Sequence, residues 1–451
     1  MIVVSFTTPR GVNGQLSQPS PKDTTTPPDV TDDENMSQPI PETSISLSVY
    51  DNDQIQSGSS PFSPVLPDPS HSPNAHQLTE REAFLFMIYV HKLAPLSDAC
   101  DDARHFALQV PRLALQDPMI LNGILALASR YDSYSSQNSL EGTYYHNKCI
   151  ALLIKAFAQP PSTWDTTLLT AVVIARLYEE NDNEADPHYH LAGTQNLLNH
   201  EVITRFVMQG GLAGAASWVH LRQAIYVYVA GKKPMEICLE NFARSTVFQR
   251  MDDSAYANRA VYLLARIMKL LFPTGQEQSL EEWENAEMEV ERWFDERPVS
   301  FKPIFHKAGN VLEDRPFPVI CFAATVPVIG MQHYYAAKAV LLLHKLNNES
   351  GHVDSSIEHL QDIICSNLCI LMGLALSNEH AGNAFYLPAH MLSLCGYYIN
   401  DPCARRHAIR YLEKVEEVIR WRTKLLIETL KMGWDDADKD NVTFQMSEMT
   451  A

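Results

Sequence analysis

The sequence predicts an all-α protein. From Leu78 onward apolar residues recur three and four apart, the segments with this period open on capping residues, and several close on Pro or Gly. Alternating strand-length runs joined by hairpin turns are scarce. The 18 glycines in 451 residues point the same way, because β-rich folds place more glycine in turns.

Residues 1–78 differ in kind from the rest. SQPSPKDTTTPPDVTDDENMSQPIPETS and SGSSPFSPVLPDPSHSP are dense in Ser, Thr, Pro and Asp, and such segments bury too little apolar surface to offset their ordering entropy. A disordered tail is expected. Pro follows Thr8, Ser20, Thr26, Ser60, Ser63 and Ser72, a pattern open to proline-directed kinases and equally common in flexible tails.

Residues 79–434 are expected to form the helical domain. LTEREAFLFMIYVHKLAP opens on Thr79 as N-cap with Glu80 and Glu82 in an acidic first turn, and is predicted to end before Pro95. DPMILNGILALASRYDSY starts with Asp117 as cap and Pro118 at the first helical position. The helical period continues in TYYHNKCIALLIKAFAQPP, TWDTTLLTAVVIARLYEEND, YANRAVYLLARIMKLLFP, LEEWENAEMEVERWFDERP, IGMQHYYAAKAVLLLHKLNN and IEHLQDIICSNLCILMGLALS.

WVHLRQAIYVYVAGKKP, residues 218–234, contains a strand-like IYVYV, yet Trp218, Leu221, Ile225, Tyr228 and Val229 share one helical face. His220, Arg222 and Gln223 fall mainly off that face. Gly231 is predicted as a left-handed C-cap, with Lys232 and Lys233 at the negative end of the dipole and Pro234 blocking continuation. Pro402–Trp434 reads as one long closing helix, with Glu413, Glu416, Glu417, Arg420, Arg422 and Lys424 on a solvated face. Residues 435–451 are expected to be a flexible C-terminal tail, and no period of 20 to 50 residues marks a solenoid.

The net charge of −19 disfavours direct attraction to nucleic acid or anionic membrane, which needs a basic face. The most apolar stretch, FPVICFAATVPVIGM at 317–331, is broken by Pro318 and Pro327 and is shorter than the roughly 20 residues a bilayer needs, so a soluble chain without a membrane partner is expected. MIVVSFTTPRG lacks the charged start and apolar length of a signal peptide. The eight cysteines have irregular spacing and apolar neighbours, which predicts reduced intracellular thiols.

Catalytic templates fail: no GxSxG, Walker A, HExxH or GxGxxG occurs. GGLAGAAS at 210–217 has neither a preceding strand nor a lysine, so a phosphate cradle is disfavoured. His188 and His190, two apart in EENDNEADPHYH, would point away from each other on a helix, and an acidic loop before a helix start at Asp186-Pro187 explains the string without metal. Cys365 and Cys369 share a helix face at i, i+4. Two thiolates there would suit a metal or a regulatory disulfide, but without a His or Asp at ligand spacing buried structural cysteines are favoured. The basic groups Arg405-Arg406-His407, Lys232-Lys233 and Arg420 with Arg422 lack the aromatic interleaving of a nucleic-acid platform. The residues themselves predict no catalytic residue, no metal and no cofactor.

Three segments in order, His190-Leu191-Ala192-Gly193 with Leu197-Leu198, Trp218 to Tyr226 ending in Lys233-Pro234, and Asp252-Asp253 through Ala257-Asn258-Arg259, join the tyrosine-rich helix at Tyr144-Tyr145-His146. Together they resemble the C-terminal regulatory region of fungal zinc-cluster transcription factors, the fungal-specific transcription factor domain that includes the arca-like proteins, over roughly 80–434. The resemblance implies an all-α regulatory domain in a nuclear protein, no agreed catalytic residues, and frequent control of secondary-metabolite gene clusters. Such factors usually carry an N-terminal cluster of six cysteines that holds zinc and reads DNA through a basic helix. No cysteine precedes Cys100 here and no basic arm is present, so zinc binding and autonomous DNA recognition do not carry over. The expectation is either a cluster-less relative or a gene model missing its first exon. It would act through the transcriptional machinery or other transcription factors, with homo- or heterodimers open. Two other readings stand beside it: a helical small-molecule-binding or biosynthetic-cluster protein, and a scaffold dimerising with an intact zinc-cluster factor.

Overall fold

In the computed structural model the described residues are 78–135, 140–180, 201–232, 234, 237–273, 279–348 and 354–450. They belong to one compact unit, Pro69–Ala451. The expected disordered tail and the His188/His190 pair lie outside the described residues.

The described structure is almost entirely helical, as the apolar period predicts. Helix α1 (Glu80–Ile88) starts on the predicted cap: Thr79 Oγ1 accepts from the Glu82 amide at 3.3 Å while the Thr79 amide donates to Glu82 Oε2 at 2.9 Å. The chain does not stop before Pro95. It widens into a π turn at Tyr89–Leu93 and continues as α2 (Ala94–Ser97). Proline has no N–H and crowds the carbonyl four residues back, and a wide turn just before it relieves both problems.

Two short helices, α3 (His105–Leu108) and α4 (Val110–Ala114), lead into α5 (Pro118–Asp132). There the Asp117 carboxylate accepts from the Met119 and Ile120 amides, and Pro118 sits in the first turn, as predicted. Helices α6 (Leu140–Phe157) and α7 (Thr166–Glu180) pack on α5. They are followed by α8 (Glu201–Gln209), the central α9 (Gly211–Gly231) and the short α10 (Leu239–Ala243). Helix α9 packs against α7, α8, α11 (Asp253–Leu271) and α15 (Tyr386–Cys395), which places it inside the molecule.

Every residue from Trp218 to Tyr226 is buried, including His220, Arg222 and Gln223. The one-faced helix of the sequence reading is therefore corrected: with neighbours on all sides there is no solvated face to receive the polar residues. The C-cap also moves by one residue. Gly231 is the last helical residue, and Lys232 takes the left-handed conformation at φ 49°.

The second half of the chain begins with α11, capped by Asp252, and α12 (Leu280–Asp295), closed at its start by a second reciprocal cap between Ser279 and Glu282. A small antiparallel hairpin follows, β1 (Phe305–Lys307) with β2 (Val319–Cys321), in the register Phe305–Cys321, His306–Ile320 and Lys307–Val319. Helix α13 (Thr325–Asn348) packs between α11 and α14 (Asp354–Ser377). Two glycines bring the hairpin close to itself and to α14. A Cβ on Gly309 would lie 2.2 Å from the Pro316 carbonyl oxygen, and one on Gly373 would lie 2.4 Å from the Pro318 oxygen.

Among the described residues, one helical stretch, Ser356–Ser377, is long and apolar enough to cross a membrane. The sequence puts its most apolar stretch at 317–331 and predicts no membrane span. Ile364, Leu368, Leu371 and Met372 of this helix are buried in the core, which accounts for its composition. The closing region is likewise corrected. Pro402–Trp434 is not one helix but two, α16 (Pro402–Ile419) and α17 (Lys424–Thr450). Arg420 turns left-handed at φ 55°, and buried Thr423 reaches back, its hydroxyl donating to the Leu412 carbonyl at 3.0 Å and its amide to Glu416 at 2.6 Å. That knot of hydrogen bonds reverses the chain where helical period alone predicts continuation. Trp434, on α17, is buried and donates from its indole to the Gly396 carbonyl.

Candidate ligand cavity

The end of α12, the hairpin, α13 and α14 enclose a cavity of about 720 Å³. Its floor is apolar and buried: Phe301, Ile320, Phe322, Met331 and Leu374. Its rim carries exposed His306, Asp362 and Ser366. Between floor and rim stand Arg297, Tyr335, Cys365 and Cys369. The volume and the mix of apolar wall with a few polar groups fall within the range that holds drug-sized molecules.

Helical spacing aims the α14 side of the wall. Asp362, Cys365, Ser366, Cys369, Ile370 and Leu374 lie three and four apart, so one face of α14 supplies them all. The two thiols the sequence reading assigned to the buried core are in fact only partly buried and line this cavity. They stand one helical turn apart on the same wall.

Arg297 is held against Phe294. Its guanidinium lies 3.6 Å from the Phe294 ring centre and donates to the Phe294 carbonyl, while its buried Nε has no hydrogen-bond partner among the described residues. Burial raises the Tyr335 phenol, with the Arg297 charge acting against it. Lining residues therefore include a cation with spare hydrogen-bonding capacity and two thiols.

A second cluster was not visible in the sequence. Asp314, in a left-handed turn of the hairpin loop, meets Cys403 and His407 of α16, with one candidate ligand atom from each residue all within 4.8 Å of one another. Asp314 Oδ1 accepts from the Cys403 thiol at 3.2 Å and from Arg406 at 3.2 Å, and lies 3.3 Å from His407 Nε2. The Cys403 and His407 contacts depress the Asp314 carboxyl. An O, S, N donor set suits zinc. The Arg406 guanidinium on the same oxygen opposes a cation, so the arrangement reads as an anchor pinning the hairpin loop to α16. Asp314 and Cys403 are 89 residues apart, which is why no spacing signal exposes them.

The polar residues of α9 form the third feature. The Arg176 guanidinium lies 2.8 Å from His220 Nδ1, Arg222 donates to the Ser97 carbonyl at 2.8 Å, and Gln223 donates to the Val173 carbonyl at 3.3 Å. Each side chain has a buried partner for at least one polar atom, while Gln223 Oε1 has none among the described residues. Helix α9 itself begins in the GGLAGAAS stretch, with Gly210 at φ 72° and no side-chain cap.

The basic groups singled out in the sequence make contacts within the molecule. Arg405 pairs with Asp438, Arg406 with Asp314, Lys232 lies over the Tyr397 ring and Arg420 over Tyr131 and Tyr134. Lys233 lies outside the described residues.

Residues 84–220 match the family model of the fungal specific transcription factor domain. The match runs from Phe84 in α1 to His220 in α9 and agrees with the resemblance read from the sequence, over a shorter span than the expected 80–434. No curated protein and no solved structure matches the chain. Of the residues that carried the resemblance, Tyr144-Tyr145-His146 fall on α6 within the match, and Asp252 to Arg259, which start α11, fall beyond it.

Proposed function

We propose that this chain regulates transcription through protein partners, in the nucleus, as a non-catalytic helical domain, and that its targets are a limited gene set of the kind grouped in secondary-metabolite clusters. The observation that carries the reading is the match of residues 84–220 to the fungal specific transcription factor domain. Two physical features support the indirect route to DNA. The net charge of −19 offers no general attraction to phosphate, and basic side chains such as Arg405 and Arg406 are committed to carboxylates within the chain.

The purified 451-residue chain is expected to give no sequence-selective shift of DNA at physiological salt, while deletion of its gene changes the transcripts of a restricted set of genes. Sub-micromolar selective binding by the chain alone would overturn the indirect route. Unchanged transcripts with loss of one metabolite-converting step would favour a biosynthetic role. That second reading rests on the cavity beside α14, which is large enough for a small molecule.

A further inference from the structure

We infer that β1 and α14 form a groove for an extended peptide of a partner protein, which adds to the open edge of β1 as an antiparallel strand and places one apolar side chain in the cavity. The hairpin shows why a backbone is the fitting ligand. In an antiparallel pair, facing residues either exchange hydrogen bonds with each other or both turn away, in alternation. Ile320 turns away from β1: its amide donates to Ser377 Oγ at 3.1 Å and its carbonyl accepts from Asn378 Nδ2 at 2.7 Å. His306 faces Ile320 in the register, so its amide and carbonyl turn away from β2 to the outer edge, where no described group meets them. The Ile304 amide is already taken by the Cys321 carbonyl at 2.8 Å, and the Ala308 carbonyl accepts from Arg315 at 2.6 Å, so the free edge is centred on His306. Residues 302–309 are all exposed, and nothing among the described residues covers them. An N–H beside a C=O on a strand edge matches the C=O and N–H of another extended chain.

The cavity supplies the second half of the groove. Side chains alternate between the faces of a strand, and cross-strand partners share a face. His306 and Ala308 line the cavity, as do Pro318, Ile320 and Phe322, whereas the intervening Phe305, Lys307, Val319 and Cys321 do not. The residue of an added strand that pairs with His306 points to the same face. The exposed lining residues His306 and Ala308 on one side and Asp362 and Ser366 on the other place the mouth between β1 and α14. Through that mouth the side chain meets an apolar floor, and about 720 Å³ is room for an aromatic group. The hairpin is held ready, since Asp314 ties its loop to α16 while Ser377 and Asn378 tie β2 to the end of α14, and little ordering cost remains on this side. A short edge and one anchoring side chain make a small contact, so the complex belongs to the weak, transient class.

The inference deepens the reading that this chain acts through protein partners, and rests on that reading for the source of the peptide. Its test uses neither DNA nor transcripts, so its failure leaves the tests of that reading standing. A displayed library of random octapeptides is panned on the full 451-residue chain, and the most enriched peptide is synthesised as the fluorescent probe. Sequences with alternating apolar residues should be enriched. N-methylating the probe's cavity residue, which removes its backbone donor to His306, should weaken binding about tenfold or more in fluorescence polarisation. His306→Pro should do the same while leaving the hairpin intact, because the lost N–H faces away from β2. His306→Ala, which keeps the N–H, should bind the probe as the unsubstituted chain does. Ser366→Trp, which fills the mouth from an exposed position, should abolish binding. Enrichment without an alternating apolar pattern would overturn the inference, as would binding indifferent to His306→Pro or to N-methylation. A dimer that His306→Pro dissociates would make a second copy the occupant, and slow hydrogen exchange at the His306 amide in the free chain would show the edge covered by the chain itself; either overturns the assignment to a partner. If His306→Pro shifts the urea midpoint, the N-methylated probe on the unsubstituted chain decides.

Discussion

Helix α9 and helix α14 are both apolar, and the chain uses them in opposite ways. Along α9 every side chain from Trp218 to Tyr226 is buried, and the Arg222 and Gln223 donors reach the Ser97 and Val173 carbonyls. Along α14 one face is core, with Ile364, Leu368 and Leu371 buried, while another face presents Cys365, Ser366 and Cys369 to a cavity. An interior helix surrounded by four others can carry polar groups only if each finds a partner, because an unpaired one costs about 1–3 kcal/mol. A helix at the edge of the core can leave donors and thiols uncommitted. The first region is closed on all sides by its neighbours, and the second borders open space.

The largest effect that would test this contrast is Trp218→Ala. Its indole is 4% exposed and packs edge-on to Phe242, so the loss should be on the order of 3–5 kcal/mol in urea melts. A small loss would place α9 at the surface.

Acid should act next on the same interior. His333 and His390 are buried, and burial lowers each to about 4. Between that value and the ordinary histidine value the unfolded chain binds protons that the folded chain refuses. Stability is therefore full above pH of about 6.5 and falls as pH drops toward 4, by roughly 2 kcal/mol per histidine at pH 5. Asp98 works the other way. Burial raises it to about 6, despite amide donors at Phe106 and Ala107, and it offsets part of the loss by favouring the folded state at pH below 6. Urea midpoints at pH 7.5 and 5 should fall accordingly, and His333→Gln should flatten the slope. An unchanged slope would mean that His333 is already protonated or solvated.

On the cavity side, Ile370→Ala should cost only about 1 kcal/mol, below the usual range for a core isoleucine, because the side chain is half-buried beside existing empty volume. A loss as large as that of Trp218→Ala would mean that the cavity collapses when its wall is trimmed. The smallest effect belongs to the end of α9. Lys232→Ala should cost a few tenths to about 1 kcal/mol, since the side chain is exposed and contributes dipole and ring contacts alone.

The helices, their caps and their composition were legible locally. Thr79 with Glu82, Asp117 with Pro118 and the i, i+3, i+7 spacing of Trp218, Leu221 and Ile225 are short-range patterns, and each produced the helix start or core contact that its chemistry requires. The same locality explains the errors. The sequence reading assigned His220, Arg222 and Gln223 away from the core because a solvated face is the ordinary fate of polar residues, and only packing by α7, α8, α11 and α15 closed it. The break at Arg420 depends on Thr423 reaching Leu412 and Glu416. The i, i+4 spacing of Cys365 and Cys369 was readable, but whether their face met core or cavity was not. That was decided by a hairpin folded on itself at Gly309 and drawn against α14 at Gly373, and by an Asp314 anchor 89 residues from Cys403. Sequence by itself determined which segments are helical, because capping and amphipathic period act within a few residues. Tertiary structure alone decided which faces are enclosed and where space remains, because those depend on neighbours brought together from distant parts of the chain.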